Sequence, residues 1–245
     1  MKIMVLTDNK ILYEKFKEEV CHKKYDKFSF FFFCSPNNNF GLCKKDIKIQ
    51  PLNIIEETEN IIKNYDLVFS LHSKQIFPKK LTQNVRCINI HPGYNPFNKG
   101  YFPQVFSILN SLPAGVTIHE MDSKIDSGPI IMQRKIDIFQ HETSYDAYQK
   151  LISLETQLIK NYLIDLIEMN YKTFQLNEPG NYNSFKKFNK MLEIDLDEKV
   201  TFKYAIDFLR AFSFDGYDNA YFLDDNGEKI FLKLSLKKAN KSTIK

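Results

Sequence analysis

Two short segments hold residue types that move protons and stabilise charge. They are Asn89-Ile90-His91-Pro92-Gly93 and Asp122-Ser123-Lys124-Ile125-Asp126-Ser127-Gly128-Pro129-Ile130. On an extended strand, Asn89 and His91 are two apart and share a face. Pro92 cannot continue a ladder, so the pair should stand where the strand ends. An Asn there offers a neutral donor to a developing oxyanion. A His supplies or relays a proton near neutral pH. Asp126, in a Gly-Pro loop, can orient that His or take the proton of an attacking amine. Singly, each has a plain structural use: a strand-end His packs, and a loop Asp stabilises its turn. Jointly they suit direct acyl transfer between two bound substrates. No G-x-S-x-G elbow is present, which argues against a serine acyl-enzyme.

Such a set needs a scaffold that ends several strands side by side. The first half of the chain alternates short apolar runs with amphipathic stretches. Ile3–Leu6 reads as a strand, and residues 10–22 as a helix through Ile11, Leu12, Phe16 and Val20. Phe28–Phe33 reads as a strand buried on both faces. Ile54–Asn64 reads as a helix, and Asp66–Ser70 and Arg86–Ile90 as strands. This order predicts an open, mostly parallel α/β sheet of Rossmann type. Ligands should then meet Thr7-Asp8-Asn9, Leu71-His72-Ser73-Lys74 and His91-Pro92-Gly93, at the carboxyl ends of the strands. A short helix over 103–110 follows, then strands Ala114–Glu120 and Ile130–Ile138. A long helix spans about Ser144 to Met169. Residues 170–199 are rich in Asn, Lys, Tyr and Phe, with Pro179-Gly180 as a turn. A helix over Thr201–Phe212 precedes a hairpin, Asn219–Leu223 and Lys229–Leu236 around Asp225-Asn226-Gly227. The expected division is therefore 1–180, a catalytic unit, and 181–245, a small helix-plus-hairpin appendage.

Composition excludes several classes. With 43% hydrophobic and 26% charged residues in 245, the chain can build a core. None of its eight glycines precedes Gly41, so no Gly-rich phosphate loop follows the first strand. A net charge of +4 is too mild to argue for nucleic acid. Part of that excess sits at Lys233, Lys237, Lys238, Lys241 and Lys245, which read as a solvated tail. Cys21, Cys34, Cys43 and Cys87 form no C-x-x-C pair, so neither a zinc site nor a disulfide framework is expected. No apolar run approaches the ~20 residues of a membrane helix. A reduced, cytoplasmic, non-membrane protein is expected.

The motifs together resemble one family. Asn89-Ile-His-Pro-Gly, Pro103-Gln104, Ala114-Gly115-Val116-Thr117-Ile118-His119 and Asp126-Ser-Gly-Pro-Ile look like the folate-dependent formyltransferases. The likeness is close over about 66–140 and extends in layout over 1–170. It implies a catalytic triad at Asn89, His91 and Asp126, and 10-formyltetrahydrofolate as formyl donor without a metal. It also implies that backbone groups around Ser73, Lys74, Gln75 and Ile76 hold the pterin. His91-Pro-Gly-Tyr-Asn-Pro resembles the branch that formylates dTDP-linked 4-amino-4,6-dideoxyhexoses for O-antigen or other surface glycans. Lys99 replaces the Arg common in that motif, and Tyr101 stands where Trp is frequent. A dTDP-3-amino sugar or a UDP-4-aminoarabinose is the alternative acceptor, and a non-catalytic folate- or nucleotide-binding homologue is the other class.

The 65 residues after 180 are too few for a tRNA-binding barrel of the methionyl-tRNA branch. The Gly-free turn Thr7-Asp8-Asn9-Lys10 departs from the ribonucleotide branch. Asn9, Lys10, Tyr94 and Lys99 are candidates for contact with the sugar nucleotide, although Asn9 and Lys10 equally suit a helix start. His119, mid-strand, reads as structural. The resemblance implies a homodimer through the C-terminal hairpin, whose unpaired edge invites pairing.

Overall fold

The structure, a computed structural model, describes residues 1–38 and 49–239. Gly41, Cys43, Lys241 and Lys245 lie outside the described residues.

The chain begins β1 (Lys2–Thr7), α1 (Lys10–Val20), β2 (Ser29–Cys34), β3 (Gln50–Pro51), α2 (Thr58–Asn64), β4 (Leu67–Leu71), α3 (Lys79–Asn84) and β5 (Arg86–His91). It continues with β6 (Lys99–Gly100), α4 (Pro103–Asn110), β7 (Ala114–Glu120), β8 (Ile130–Ile136) and α5 (Ser144–Glu168). The last elements are β9 (Tyr182–Asn183), α6 (Phe185–Lys190), α7 (Phe202–Phe212), β10 (Tyr221–Leu223) and β11 (Lys229–Phe231). A seven-stranded sheet runs β3-β2-β1-β4-β5-β7-β8. Its strands are parallel from β3 to β5, and β7 and β8 continue it antiparallel. This is the expected open, mostly parallel Rossmann-like sheet.

Strand alternation between two cores explains why β1 is apolar from Ile3 to Leu6. Ile3 and Val5 join one core with Leu12 and Phe16 of α1 and Leu151, Leu158 and Leu163 of α5. Met4 and Leu6 join the opposite core with Ile61 of α2 and Leu81 of α3. Thr143 caps α5 and closes a capping box with Asp146, so the 25-residue helix starts at a defined point along the sheet.

Some boundaries differ from expectation. The aromatic strand β2 is half-buried rather than covered on both faces, with Phe31 39% exposed. Its outer neighbour β3 has two residues and pairs only at Phe33 and Cys34. The helix expected from Ile54 begins at Thr58, after a turn. Helix α3, α6 and the short β6–β9 pairing carried no periodic signal long enough to read.

After α5 the chain returns to the main body. Strand β9 pairs in parallel with β6, and α6 and α7 pack on α4 through Phe188, Phe212, Val105 and Phe106. Strands β10 and β11 form the expected hairpin, with Gly227 in the left-handed region of its turn (φ 78°). Among the described residues no helix is long and apolar enough to cross a membrane.

Candidate active site

Strand β5 ends at His91 on the carboxyl edge of the parallel strands. Antiparallel pairing with β7 sets Asn89 opposite His119 and His91 opposite Thr117. Two imidazoles and a carboxamide thus converge at one sheet edge. The loop after β7 then folds back, with Asp126 in the left-handed region (φ 48°). Its carbonyl accepts from Asn95 Nδ2 at 2.9 Å. Asn95 in turn is held through its own N–H and carbonyl by Thr117 and Gln133.

The Asp126 carboxylate is bound on both oxygens. Oδ1 accepts from Asn89 Nδ2 at 3.0 Å, and Oδ2 accepts from the Gly100 N–H at 3.1 Å. A carboxylate only accepts, which fixes the Asn89 amide with its nitrogen toward Asp126. His119 Nδ1 donates to the Glu120 carbonyl at 2.7 Å, leaving Nε2 as an acceptor 3.3 Å from Asn89 Nδ2. His91 Nε2 lies 3.7 Å from Asp126 Oδ2 and has no hydrogen-bond partner among the described residues, although it is buried. A buried polar atom left without a partner is costly, so one beside a carboxylate marks where substrate can complete the bonding. Gly93 makes room for it: a Cβ there would lie 2.3 Å from His91 Nε2. Gly100 (φ 89°) likewise admits no side chain, since a Cβ would meet the Tyr182 ring at 2.5 Å.

Burial pushes His91 down to about 4, against the pull of Asp126. Burial alone would push Asp126 up; the facing His91 and His119 and the Gly100 N–H outweigh it and hold it below the usual carboxylate range. At neutral pH the centre therefore pairs a carboxylate with a neutral imidazole. Desolvation outweighs the facing carboxylate because His91 is 5% exposed.

The other expected residues spread along the carboxyl edge. In the 73–76 loop, Ser73 Oγ accepts from the Gln75 N–H, and the Lys74 N–H goes to Asp8. The Gln75 side chain is tied to the backbone of Leu52 and Ile54, and Ile76 is exposed. Asn9 caps α1 through Leu12 and also reaches His72 and Tyr148. Lys10 points to Glu14 on its own helix. Lys99 Nζ donates to Ser127 Oγ at 3.0 Å, and the Tyr94 ring lies under Lys135. Lys99 thus joins the Asp126 loop, whereas Lys10 and the Gln75 side chain are engaged elsewhere.

Four contributors were not named as site residues from sequence: Gly100, Asn95, His72, which lay in an expected ligand-facing segment, and His119, which read as structural. His119 carried a usable signal, since antiparallel pairing of the two motif strands sets it beside Asn89 or one register away. His72, in the left-handed region (φ 52°), sets Nε2 2.9 Å from both oxygens of the fully buried Glu155. A separate groove of about 670 Å³ between α4, the end of β8 and α7 contains none of Asn89, His91 and Asp126. Among the described residues no cluster of His, Cys, Asp or Glu could hold a metal ion.

An open α/β sheet with an amide, an imidazole and a carboxylate converging at a strand end defines a Rossmann-like protein with a buried polar cluster whose chemistry suits group transfer. Residues 7–163 match the family model described as formyl transferase, and residues 187–238 match that of the N-formyltransferase dimerization C-terminal domain. The chain belongs to the formyltransferase family. It is 40% identical to the dTDP-4-amino-4,6-dideoxyglucose formyltransferase of Mycobacterium tuberculosis over 75% of this chain and 79% of that one. A 4-N formyltransferase from Francisella tularensis superimposes with a TM-score of 0.92 at 42% identity, covering 97% of this chain and 98% of that one. A sugar N-formyltransferase from a Shewanella species gives 0.94 at 38% identity, covering 98% and 99%.

Proposed function

We propose that the protein is a sugar N-formyltransferase that carries the formyl group of 10-formyltetrahydrofolate to the C4 amine of dTDP-4-amino-4,6-dideoxyglucose. The observation that carries this reading is the convergence of Asn89, His91 and Asp126 in one buried centre. The acceptor follows from the likeness to relatives whose names specify it.

In this reading the sugar amine enters between His91 and Asp126 and attacks the formyl carbon. A new C–N bond forms as the carbonyl π pair moves to oxygen. The neutral His91 donates through Nε2–H to that oxygen. Asn89 adds the N–H it holds toward His119, the longer of its two contacts. Asp126, already ionised, takes the amine proton. Collapse of the adduct breaks the bond to the folate nitrogen, and the proton passes through this centre to the leaving nitrogen. The products are the formamide and tetrahydrofolate, and the proton count closes without a metal.

Backbone groups of the loop at Ser73, Gln75 and Ile76 would receive the pterin, and Lys74 shapes that loop. Asn9, Lys10, Tyr94 and Lys99 would line the path of the sugar nucleotide. Residues 181–245 would serve self-association, pairing two copies through the β10–β11 hairpin, in a cytoplasmic enzyme that feeds a surface glycan. A turnover panel tests the acceptor, using 10-formyltetrahydrofolate with the dTDP-4-amino and dTDP-3-amino sugars and UDP-4-aminoarabinose. The dTDP-4-amino sugar should be turned over with the highest kcat/KM. Folate binding without transfer to any of the three would overturn the reading.

A further inference from the structure

The segment following residue 180 crosses the catalytic loops rather than leaving them. The N–H of Lys99 donates to the Asn181 carbonyl at 3.1 Å, and that of Tyr101 to the Asn183 carbonyl at 2.9 Å. Along an extended strand, successive N–H groups point to opposite sides. The N–H groups of 99 and 101 turn to the segment, and that of Gly100 between them, at its positive φ of 89°, points away to Asp126 Oδ2.

Buried amides hold this arrangement. Asn98 is 1% exposed and Asn183 fully buried. Asn98 donates its N–H to Asn181 Oδ1 at 2.7 Å and its Nδ2 to Ser107 Oγ at 3.1 Å. Its Oδ1 accepts from Asn181 Nδ2 at 2.9 Å, Asn110 Nδ2 at 3.2 Å and Asn183 Nδ2 at 3.4 Å. Asn183 Oδ1 accepts from Lys187 Nζ of α6 at 2.8 Å. A connected run of hydrogen bonds thus leads from α6, in the C-terminal family match, to the carboxylate of the centre.

We propose that residues 181–183 are a positioning strap for the catalytic centre: pairing with β6 aims the Gly100 N–H at Asp126, and Asn98 and Asn183 hold the strap in register. The C-terminal module thereby sets the geometry of a site built by the first 130 residues. The inference rests on the formyl-transfer reading in taking Asp126 as proton acceptor. Its groups act through Gly100, so they are positioning residues.

Asn183→Ala in the full-length enzyme tests it. Expected are a 10- to 100-fold fall in kcat, the scale of a misplacement of about 1 Å, and KM for both substrates within about twofold. In ¹⁵N-labelled protein without substrate, the Gly100 amide proton should move upfield. Should that variant not fold, Lys187→Met carries the test with a three- to tenfold fall in kcat. Unchanged kcat and an unchanged Gly100 amide in a folded variant overturn the strap. A wild-type enzyme that forms no formamide overturns the functional reading instead, and the amide shift still reports on the strap.

Discussion

Asn89 and Asp126, 37 residues apart in the chain, are joined by a 3.0 Å hydrogen bond from the carboxamide to the carboxylate. The bond holds an ionised Asp126 beside a His91 that burial keeps neutral. Most consequences for activity follow from this pairing.

His91→Asn removes the imidazole and keeps a polar side chain of smaller volume. Formamide production should fall by roughly 10²–10⁴, the range of a group doing acid–base work. Steady-state kinetics with both substrates measures it, and near-normal turnover removes His91 from the mechanism.

The acid side of the kcat/KM profile reports the free enzyme. Asp126 stays ionised below the ordinary carboxylate range, and His91 charges only near pH 4. The profile should therefore stay flat from about pH 8 down to about pH 5 and drop below that. An acid limb near 6.5, the usual value for His, would mean that burial does not depress His91, and a fall in activity as pH rises through that value would mean that the charged imidazole is the working form.

The same shift bears on stability. The folded state holds His91 below its unfolded value of about 6.5. Its contribution is therefore complete above pH 6.5 and is lost as pH falls toward 4. The loss over that window is roughly 3 kcal/mol by linkage. Urea unfolding at a series of pH values should show this slope in the wild type and a shallower one in His91→Asn.

Gly93→Ala places a Cβ 2.3 Å from His91 Nε2, so the ring must move. About 10²-fold should be lost from kcat. Crystal structures of the variant would show a displaced imidazole; an unmoved ring with full activity contradicts the role given to this glycine.

His72→Leu leaves Glu155 buried without its partner. A buried carboxyl left without its hydrogen-bond partner costs about 1–3 kcal/mol, since burial, which raises Glu155, lets it stay protonated. Denaturant midpoints should fall accordingly, and Glu155→Gln, which keeps a hydrogen-bonding group against His72, should cost less.

Much of this protein is readable from residue types in order. The alternating apolar runs dictate the open sheet, because strands covered on both faces must be apolar on both faces, as in β1. Asn89, His91 and Asp126 stand out because few residue types can do this chemistry, and spacing puts two of them on one face. Helix α5 is legible from its length and its one-sided apolar spacing, whereas its cap at Thr143 came with the structure. Only the tertiary structure decided the rest. His119 reaches Asn89 through an antiparallel register, and Gly100 reaches Asp126 through a two-residue pairing with a segment 83 residues later. Neither has a local period to read. The charge state of His91 was settled by burial against Asp126, and burial is a property of the packed molecule. Local pattern follows from the chain's own geometry, whereas long-range hydrogen bonds and desolvation exist only once distant segments meet.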